Sequence, residues 1–296
     1  MKVNFILNPV AGRGHTLEVL PRIRKILNNE QVEYEIHRTQ YSGNGSELAR
    51  ELEEKEGVIT AIGGDGTVRE VLNGVRSPKT PIGIIPAGMG NDFARSLGIP
   101  SNPAEAIKCI INSNRVKVDL GSEQGKLFNV MGVGFPADVV KTIDMYKNGF
   151  IDGSIIYLLG LLRSLTQLKT YSLQLETNGE SSEIDASAVF VANSNFTAGG
   201  INLIPHAGLR DGLLDVAVIS DVGRTELVLA LKKAYQGTHV NHPKIEFYQA
   251  KSVNINSGDR LPLMFDGELE GTTPARLEIA PEARTLIVPP ESMDTS

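Results

Sequence analysis

The sequence predicts an α/β domain built on a parallel sheet, followed by a second domain built mainly of antiparallel strands. Three observations lead there. Between residues 3 and 92, short apolar runs alternate with stretches of helical spacing, the order that yields a parallel sheet with helices on both faces. From about residue 115 strand-like runs take over, at 115–120, 126–134, 170–177, 184–193, 213–219, 244–256, 261–266 and 275–288; helical spacing returns only near 137–147, 154–168 and 224–236. The length, 296 residues, exceeds what one hydrophobic core usually supports. The expected division is residues 1–118, residues 119–288 and a frayed tail, 289–296.

In chain order, residues 3–8 (VNFILN) read as a buried strand, and Pro9 to Gly14 as a turn. Leu17, Leu20, Ile23 and Leu27 then recur on one helical face. Residues 34–38 alternate as a strand, and 46–56 form a polar helix whose acidic run, Glu51 to Glu56, is a solvated face. Gly57 to Ile62 is a further buried strand, ended by Gly63-Gly64-Asp65-Gly66-Thr67; Thr67 is placed to cap the helix that follows. Pro81 to Ile85 repeats the pattern, ended by a second glycine turn from Pro86 to Asp92 and a helix starting at Asn91 or Asp92.

Composition narrows the class. Hydrophobic residues are 41% and charged residues 22%, the values of a soluble globular protein. The net charge of −6 argues against bulk nucleic-acid binding, which needs a basic face. Cys109 is the only cysteine and sits in an apolar helical pattern, so it is expected in the core, with no intrachain disulfide and a reducing compartment. No signal peptide is expected, because the sequence begins directly in a strand. The apolar run 155–162 is too short for a bilayer span. Ile155, Ile156, Leu158, Leu159 and Leu162, beside Arg163 and Lys169, read either as a core helix or as part of a lipid-facing surface.

The glycine turns carry the chemistry. Glycines let the backbone turn tightly and let a ligand approach it, and free N–H groups at a helix start favour phosphate. Asn8, Gly12, Gly64, Gly66 and Asn91 all fall at strand ends of one sheet and can line one phosphate pocket. No Walker-type motif occurs, and Gly12-Arg13-Gly14 and Gly88-Met89-Gly90 match a dinucleotide fingerprint only in part. Asp65 is the odd member: beside phosphates its carboxylate calls for Mg²⁺ or a basic side chain. Asp211-Gly212-Leu213-Leu214-Asp215 reads as a turn entering a strand, or as a cation site of the Asp211 carboxylate and nearby main-chain carbonyls. Asp266-Gly267-Glu268 reads as a hairpin turn, or as two carboxylates able to take a proton from an alcohol. His239 and His242 share a helical face but are followed at once by Pro243, and no further metal ligand is in view.

Together these motifs resemble the diacylglycerol kinase catalytic-domain family, especially its soluble bacterial lipid kinases, over almost the whole chain. The resemblance rests on Asn8-Pro9-x-x-Gly12, Thr39, Gly63 to Thr67, and Pro86-x-Gly88-x-x-Asn91-Asp92-Phe93-Ala94. In the second half it rests on Phe128-Asn129-x-x-Gly132-x-Gly134-Phe135, Asn193, Ala198-Gly199-Gly200, Pro205-x-Ala207 with Asp211 to Asp215, and Asp266-Gly267-Glu268. The glycine turn at 63–67 alone is shared with NAD kinases and sphingosine kinases; that turn followed by Asn91 to Ala94, Asp211 to Asp215 and Asp266 to Glu268, in this order, is a strong signal.

The resemblance implies a phosphofructokinase-like nucleotide domain, a β-sandwich domain, and transfer of the γ-phosphoryl group of ATP to a lipid hydroxyl between them. It implies that Asn8, Pro9, Val10, Ala11, Gly12, Thr39 and residues Gly64, Asp65, Gly66, Thr67, Val68, Arg69 and Glu70 hold the nucleotide, with Asn91 and Asp92. It implies a carboxylate–water–Mg²⁺ network of Asp65, Asp92 and Asp211, and a Mg²⁺ held by Asp211 and the main-chain carbonyls of Gly208 and Leu213. Glu268 and Asp266 become the candidates for general base, with Asp65 the third catalytic carboxylate. The implied partner is a lipid at the cytoplasmic membrane surface, met peripherally, with room for a homodimer and no nucleic acid. Three positions depart from the pattern: Met89 replaces Thr, Arg69 replaces Asn, and Pro136 replaces Asp. The alternatives are a kinase of phosphatidylglycerol, a sphingoid base or NAD, and a non-catalytic nucleotide- or lipid-binding regulator.

Overall fold

Strand β1 (Lys2–Leu7) leads through a glycine turn to helix α1 (His15–Asn29), and β2 (Glu33–Arg38) to α2 (Asn44–Leu52). Then come β3 (Val58–Gly63), α3 (Asp65–Gly74), β4 (Pro81–Pro86), α4 (Asp92–Ser96) and α5 (Pro103–Asn112). The computed structural model describes residues 1–146 and 153–290, with side chains except those of residues 153–158. Strands β2, β1, β3 and β4 lie side by side in that order, all parallel. The apolar runs of β1, β3 and β4 are buried almost without interruption because helices cover the sheet, α1 packing beside α5 and α2 beside α3. Strand β2 pairs with β1 alone and is only half-buried, as its alternating sequence predicts for an edge. On α1, Leu20, Ile23 and Leu27 are buried with Val19, but Leu17 is 40% exposed: the buried stripe passes through position 19 instead.

The second half adds β5 (Arg115–Glu123), β6 (Lys126–Phe128), β7 (Val130–Gly134), α6 (Phe135–Tyr146), α7 (Gly153–Thr166), β8 (Tyr171–Thr177) and β9 (Glu180–Ala192). After the two-residue strands β10 (Phe196–Thr197) and β11 (Ile201–Asn202) come β12 (Leu214–Ser220), α8 (Arg224–Ala234), β13 (Ile245–Ala250) and β14 (Ser252–Ser257). The chain closes with β15 (Pro262–Phe265), β16 (Glu268–Thr272) and β17 (Ala275–Ile287). These strands form an antiparallel β-sandwich; apart from the splits at Asn129 and Lys251, the elements missed by periodicity are the two-residue strands β10 and β11 and strand β16, whose residues are half-buried or exposed. Pro136, one residue into α6, occupies a position where a missing N–H costs nothing, and it packs against Gly132.

Strands β7, β9 and β12 are apolar on both faces for a reason. Met131, Val133, Val189, Val191, Val216 and Val218 face the sandwich core. Val130, Ala188, Phe190, Ala217 and Ile219 face the other way, toward a layer made by α6, α7 and α8. Between that layer and the sheet lies a cavity of about 1090 Å³. Leu159 and Leu162 on α7 are exposed and Leu165 is buried, while the side chains of Ile155, Ile156 and Leu158 lie outside the described residues, as does tail segment 291–296.

The two halves share one sheet. The first half of β17 pairs with β14 and β5; past an irregularity between Ala280 and Arg284 it continues beside β4, in parallel. Leu286, Ile287 and Val288 thereby enter the core of the parallel α/β domain. Residue 118 falls inside β5, and the neighbouring Asp119 is the joint: its buried carboxylate accepts the N–H of Glu282 at 2.6 Å and of Gly212 at 2.8 Å.

Candidate active site

The turns after β1, β3 and β4 meet at one end of the parallel sheet, and only glycine permits it. A Cβ on Gly88 would stand 2.3 Å from the Gly64 Cα, and one on Gly12 would stand 2.2 Å from the Ala87 carbonyl oxygen. Helix α3 starts at Asp65 with Gly64 as its N-cap and no capping side chain, so the N–H groups of its first turn are left for a ligand. Thr67 is therefore not the cap: it is the third helical residue, buried, and its hydroxyl accepts the Asn8 Nδ2–H at 3.2 Å. Asn8 also accepts the Val10 N–H on Oδ1 at 3.1 Å and the Thr16 hydroxyl on its carbonyl at 2.7 Å, which stitches the first turn to α1 and α3. Thr39 is buried at the end of β2, its N–H on the Leu7 carbonyl.

Three expected nucleotide ligands have their side chains engaged elsewhere: Glu70, Asn91 and Arg69, the last by carboxylates of the sandwich domain. Glu70 caps the start of α2, accepting the N–H groups of Gly43 at 2.7 Å and Gly45 at 2.8 Å. Asn91 closes a ring with both main-chain groups of Gly88 at 2.9 Å and stiffens the third glycine turn. Val10 and Met89 are exposed, Met89 on the rim of the cavity.

Asp65 lies half-buried beneath the turns, its Oδ1 accepting the Phe93 N–H at 3.1 Å. Burial, then repulsion from Asp92, pushes its carboxyl above the usual range. Asp92 is raised mainly by burial, against the pull of its partners: the Gly199 N–H at 2.8 Å on Oδ2 and Arg95 at 2.9 Å on Oδ1. Residues Ala198, Gly199 and Gly200 have φ of 50°, 80° and 109°, so this motif exists to present an N–H from the sandwich domain to Asp92.

Facing the turns from the sandwich domain is the β15–β16 hairpin. Asp266 and Gly267 have φ of 49° and 85°, a two-residue turn that matches the twist of the flanking strands. Asp266 Oδ1 accepts the N–H groups of Asn129 at 3.0 Å and Val130 at 2.9 Å, and burial raises its carboxyl to about 6 although Arg69 opposes the rise. Glu268 is 62% exposed, and its Oε1 is 3.7 Å from where a Cβ on Gly66 would stand. Arg69 itself is buried among Asp266, Glu268 and Glu270.

Asp211 lies apart from this cluster, on the loop tied to Asp119. Its Oδ1 accepts the Leu213 N–H at 3.0 Å and its Oδ2 the Gln249 Nε2–H at 3.3 Å; Gln249 also donates to Asp215 Oδ1 at 3.0 Å. Asp215 is buried with Oδ2 unpartnered, and its carboxyl is raised to about 6 by burial first and by Asp211 further down the scale. An unpartnered carboxylate oxygen beside a second carboxylate suits a hard cation. No group of three metal-ligating side chains forms among the described residues, so a Mg²⁺ would rely on one or two carboxylates, main-chain carbonyls and phosphates. His239 Nε2–H donates to the Leu203 carbonyl at 2.7 Å, and His242 pairs with Glu226 at 3.4 Å; both are structural.

An α/β domain with side-chain-free turns, faced by carboxylates from a sandwich domain, makes a cleft suited to a phosphate-bearing ligand. Comparison with known proteins agrees. The diacylglycerol kinase catalytic domain matches residues 2–122, and the YegS C-terminal NAD kinase beta sandwich-like domain matches residues 129–288. A diacylglycerol kinase of Staphylococcus carnosus (strain TM300) is 31% identical over 277 residues, covering 93% of this chain and 90% of that protein. One of Staphylococcus aureus (strain MRSA252) is 32% identical, covering 93% of this chain and 88% of that one. A crystal structure of a diacylglycerol kinase from Bacillus anthracis str. Sterne superposes with a TM-score of 0.74 at 28% identity, over 98% of both chains. Another from the same organism reaches a TM-score of 0.84 at 30% identity, over 98% and 96%. The chain belongs to the diacylglycerol kinase family.

Proposed function

We propose that the protein is an ATP-dependent lipid kinase that moves the γ-phosphoryl group to a lipid hydroxyl, with diacylglycerol the first substrate to test and phosphatidic acid its product. The observation that carries this reading is the cavity. It begins among Asp65, Arg69, Asp92 and Asp266 and continues past Phe135, Ile143, Phe190 and Leu231 under the helical layer. At about 1090 Å³ it slightly exceeds the roughly 300–1,000 Å³ of ordinary small-molecule sites. Charged groups at one end and apolar walls beyond suit a molecule with a polar head and long hydrocarbon chains.

In this reading the turns after β1, β3 and β4 hold the phosphates through main-chain N–H groups, with Thr39 and the 8–12 turn toward the nucleotide. Glu268, exposed in the cleft, takes the proton as the lipid oxygen attacks the γ-phosphorus and the bond to ADP breaks. Asp266, fully engaged by main-chain N–H groups and Arg69, holds the hairpin rather than acting as the base. Asp65 and Asp92 would hold a Mg²⁺ that neutralises phosphate charge, whereas Asp211 with the carbonyls of Gly208 and Leu213 would hold a cation apart from the cleft. No helix of the described residues is long and apolar enough to cross a membrane. In this reading the lipid is reached peripherally, at the cytoplasmic face.

The test is radiolabelled ATP with Mg²⁺ on a panel of lipids in mixed micelles. Label in phosphatidic acid supports the reading; label in another lipid keeps the chemistry and changes the substrate; nucleotide bound with no labelled lipid overturns it. Ala230 lines the cavity, and Ala230→Phe is expected to shift preference toward shorter chains. Each buried methylene contributes about 0.8 kcal/mol, so four displaced methylenes cost about 3 kcal/mol, or roughly 10²-fold in kcat/KM for the longer lipid. An unchanged chain-length profile would remove the cavity from the argument.

The cation site has its own expected result. With its carboxyl raised from 3.8 to about 6, the folded protein holds the Asp215 proton more tightly than the unfolded chain does. Metal-free stability from this group therefore falls as pH rises between those values, by up to roughly 3 kcal/mol. Bound Mg²⁺ offsets that loss only where the carboxylates are charged. Mg²⁺ is expected to raise Tm by several degrees at pH 7.5 and by much less at pH 5.5, and Asp211→Asn to erase the difference. Equal shifts at both pH values would exclude a cation here.

A further inference from the structure

Arg69 sits one helical turn beyond Asp65 on α3, 8% exposed, and reaches across the cleft to the β15–β16 hairpin. Its three nitrogens face three different carboxylates. Nε lies 3.4 Å from Asp266 Oδ2, Nη1 3.3 Å from Glu268 Oε2, and Nη2 2.6 Å from Glu270 Oε2. Glu270 in turn holds Lys126 of β6. Glu268 and Glu270 are two apart on β16, which puts both on the face that meets α3. A planar guanidinium always carries its charge and accepts no proton, so it can orient a carboxylate without competing for the proton that carboxylate receives. The pairing also leaves Glu268 asymmetric: Oε2 is held by Arg69, and Oε1 is directed toward Gly66 in the phosphate turn.

Resting on the lipid-kinase reading above, we propose that Arg69 is the positioning residue of phosphoryl transfer: it clamps the hairpin of the sandwich domain to the nucleotide-side helix and aims the free oxygen of Glu268 at the phosphate turn. Burial alone does not explain a cation here, because a buried ion pair is weak evidence for stability and an apolar contact of the same size holds two elements as well. The arrangement is specific to the cleft. Asp266 fixes the base of the hairpin, Glu268 carries the proton-accepting oxygen, and Glu270 with Lys126 closes the outer end.

The test is a double-mutant cycle between Arg69→Gln and Glu268→Gln, read as kcat and KM for ATP and lipid on the wild type's preferred lipid. A misplacement of about 1 Å costs about 10²-fold, so Arg69→Gln is expected to lower kcat by that much with both KM values within about threefold. In the Glu268→Gln background the same change is expected to cost almost nothing further, because the oxygen it aims is gone. Arg69→Lys, which retains charge without the fork, is expected to restore part of the loss. Losses that multiply, or a kcat within about threefold of wild type in Arg69→Gln, would overturn the proposal. If Arg69→Gln does not fold, Glu270→Gln takes its place in the cycle, with an expected loss of about tenfold and the same non-additivity. A wild type that phosphorylates no lipid would instead sink the functional reading, a result distinct from any outcome of the cycle.

Discussion

Asp65→Asn is expected to lower phosphoryl transfer by about 10³-fold or more while the protein stays folded. The change is isosteric and keeps Oδ1 as the acceptor for the Phe93 N–H, so the packing of α4 on the glycine turn survives. What disappears is the negative charge. It lies beneath three glycine turns, where in the lipid-kinase reading a divalent cation would join carboxylate to phosphate. Loss of several kcal/mol of charge stabilisation in the transition state corresponds to about that factor. Stability should move the other way. Burial and the neighbouring Asp92 both raise the Asp65 carboxyl, so its ionised form is unfavourable in the folded state at neutral pH. Removing the charge is expected to leave Tm unchanged or a few degrees higher, the trade-off of a strained functional group. The checks are initial rates on the preferred lipid and a thermal melt at pH 7.5. Turnover within about tenfold of wild type would remove Asp65 from the chemistry.

Glu268→Gln is expected to cost about 10²–10⁴-fold in kcat, the range for loss of a general base, with KM for ATP and lipid nearly unchanged. Its side chain is 62% exposed, so the fold does not depend on it. Asp266→Asn provides the contrast. That carboxylate is buried, accepts two main-chain N–H groups and faces Arg69, so the variant leaves a buried cation short of charge and loosens the hairpin. It should show a lower Tm and raised KM values together. The pair therefore separates the two carboxylates by kinetic signature: a pure kcat loss at 268 and a mixed loss at 266. A pure kcat loss at 266 with wild-type kcat at 268 would reverse the assignment.

The two positions also mark how far the sequence could be read. Asp266-Gly267-Glu268 is visible as a motif, but two carboxylates two residues apart are chemically alike on paper. Only the folded hairpin buries one and exposes the other. Glu70 and Asn91 stand in the right motifs, yet Gly43, Gly45 and Gly88 take their side chains. Such bonds depend on loop positions that spacing does not reveal. Thr67 was misplaced as a cap by three residues, because the cap is Gly64 and a glycine cap leaves no side-chain signal.

What the sequence determined by itself is local and periodic. The strand–glycine–helix repeat specified the parallel sheet, since apolar runs of that length must be covered on both faces. The long series of short strands specified the sandwich, and the ordered motifs specified the family. What only the tertiary structure decided is everything that joins residues far apart in the chain. Arg69 meets carboxylates 199 and 201 positions later. β17 returns to lie beside β4, and Asp119 ties the 208–213 loop to that returning strand. The cavity exists because α6, α7 and α8 cover the second apolar face of β7, β9 and β12. Periodicity records which face of an element is buried; it does not record what is buried against it, and both the Arg69 carboxylate cluster and the cavity are made of those long-range partners.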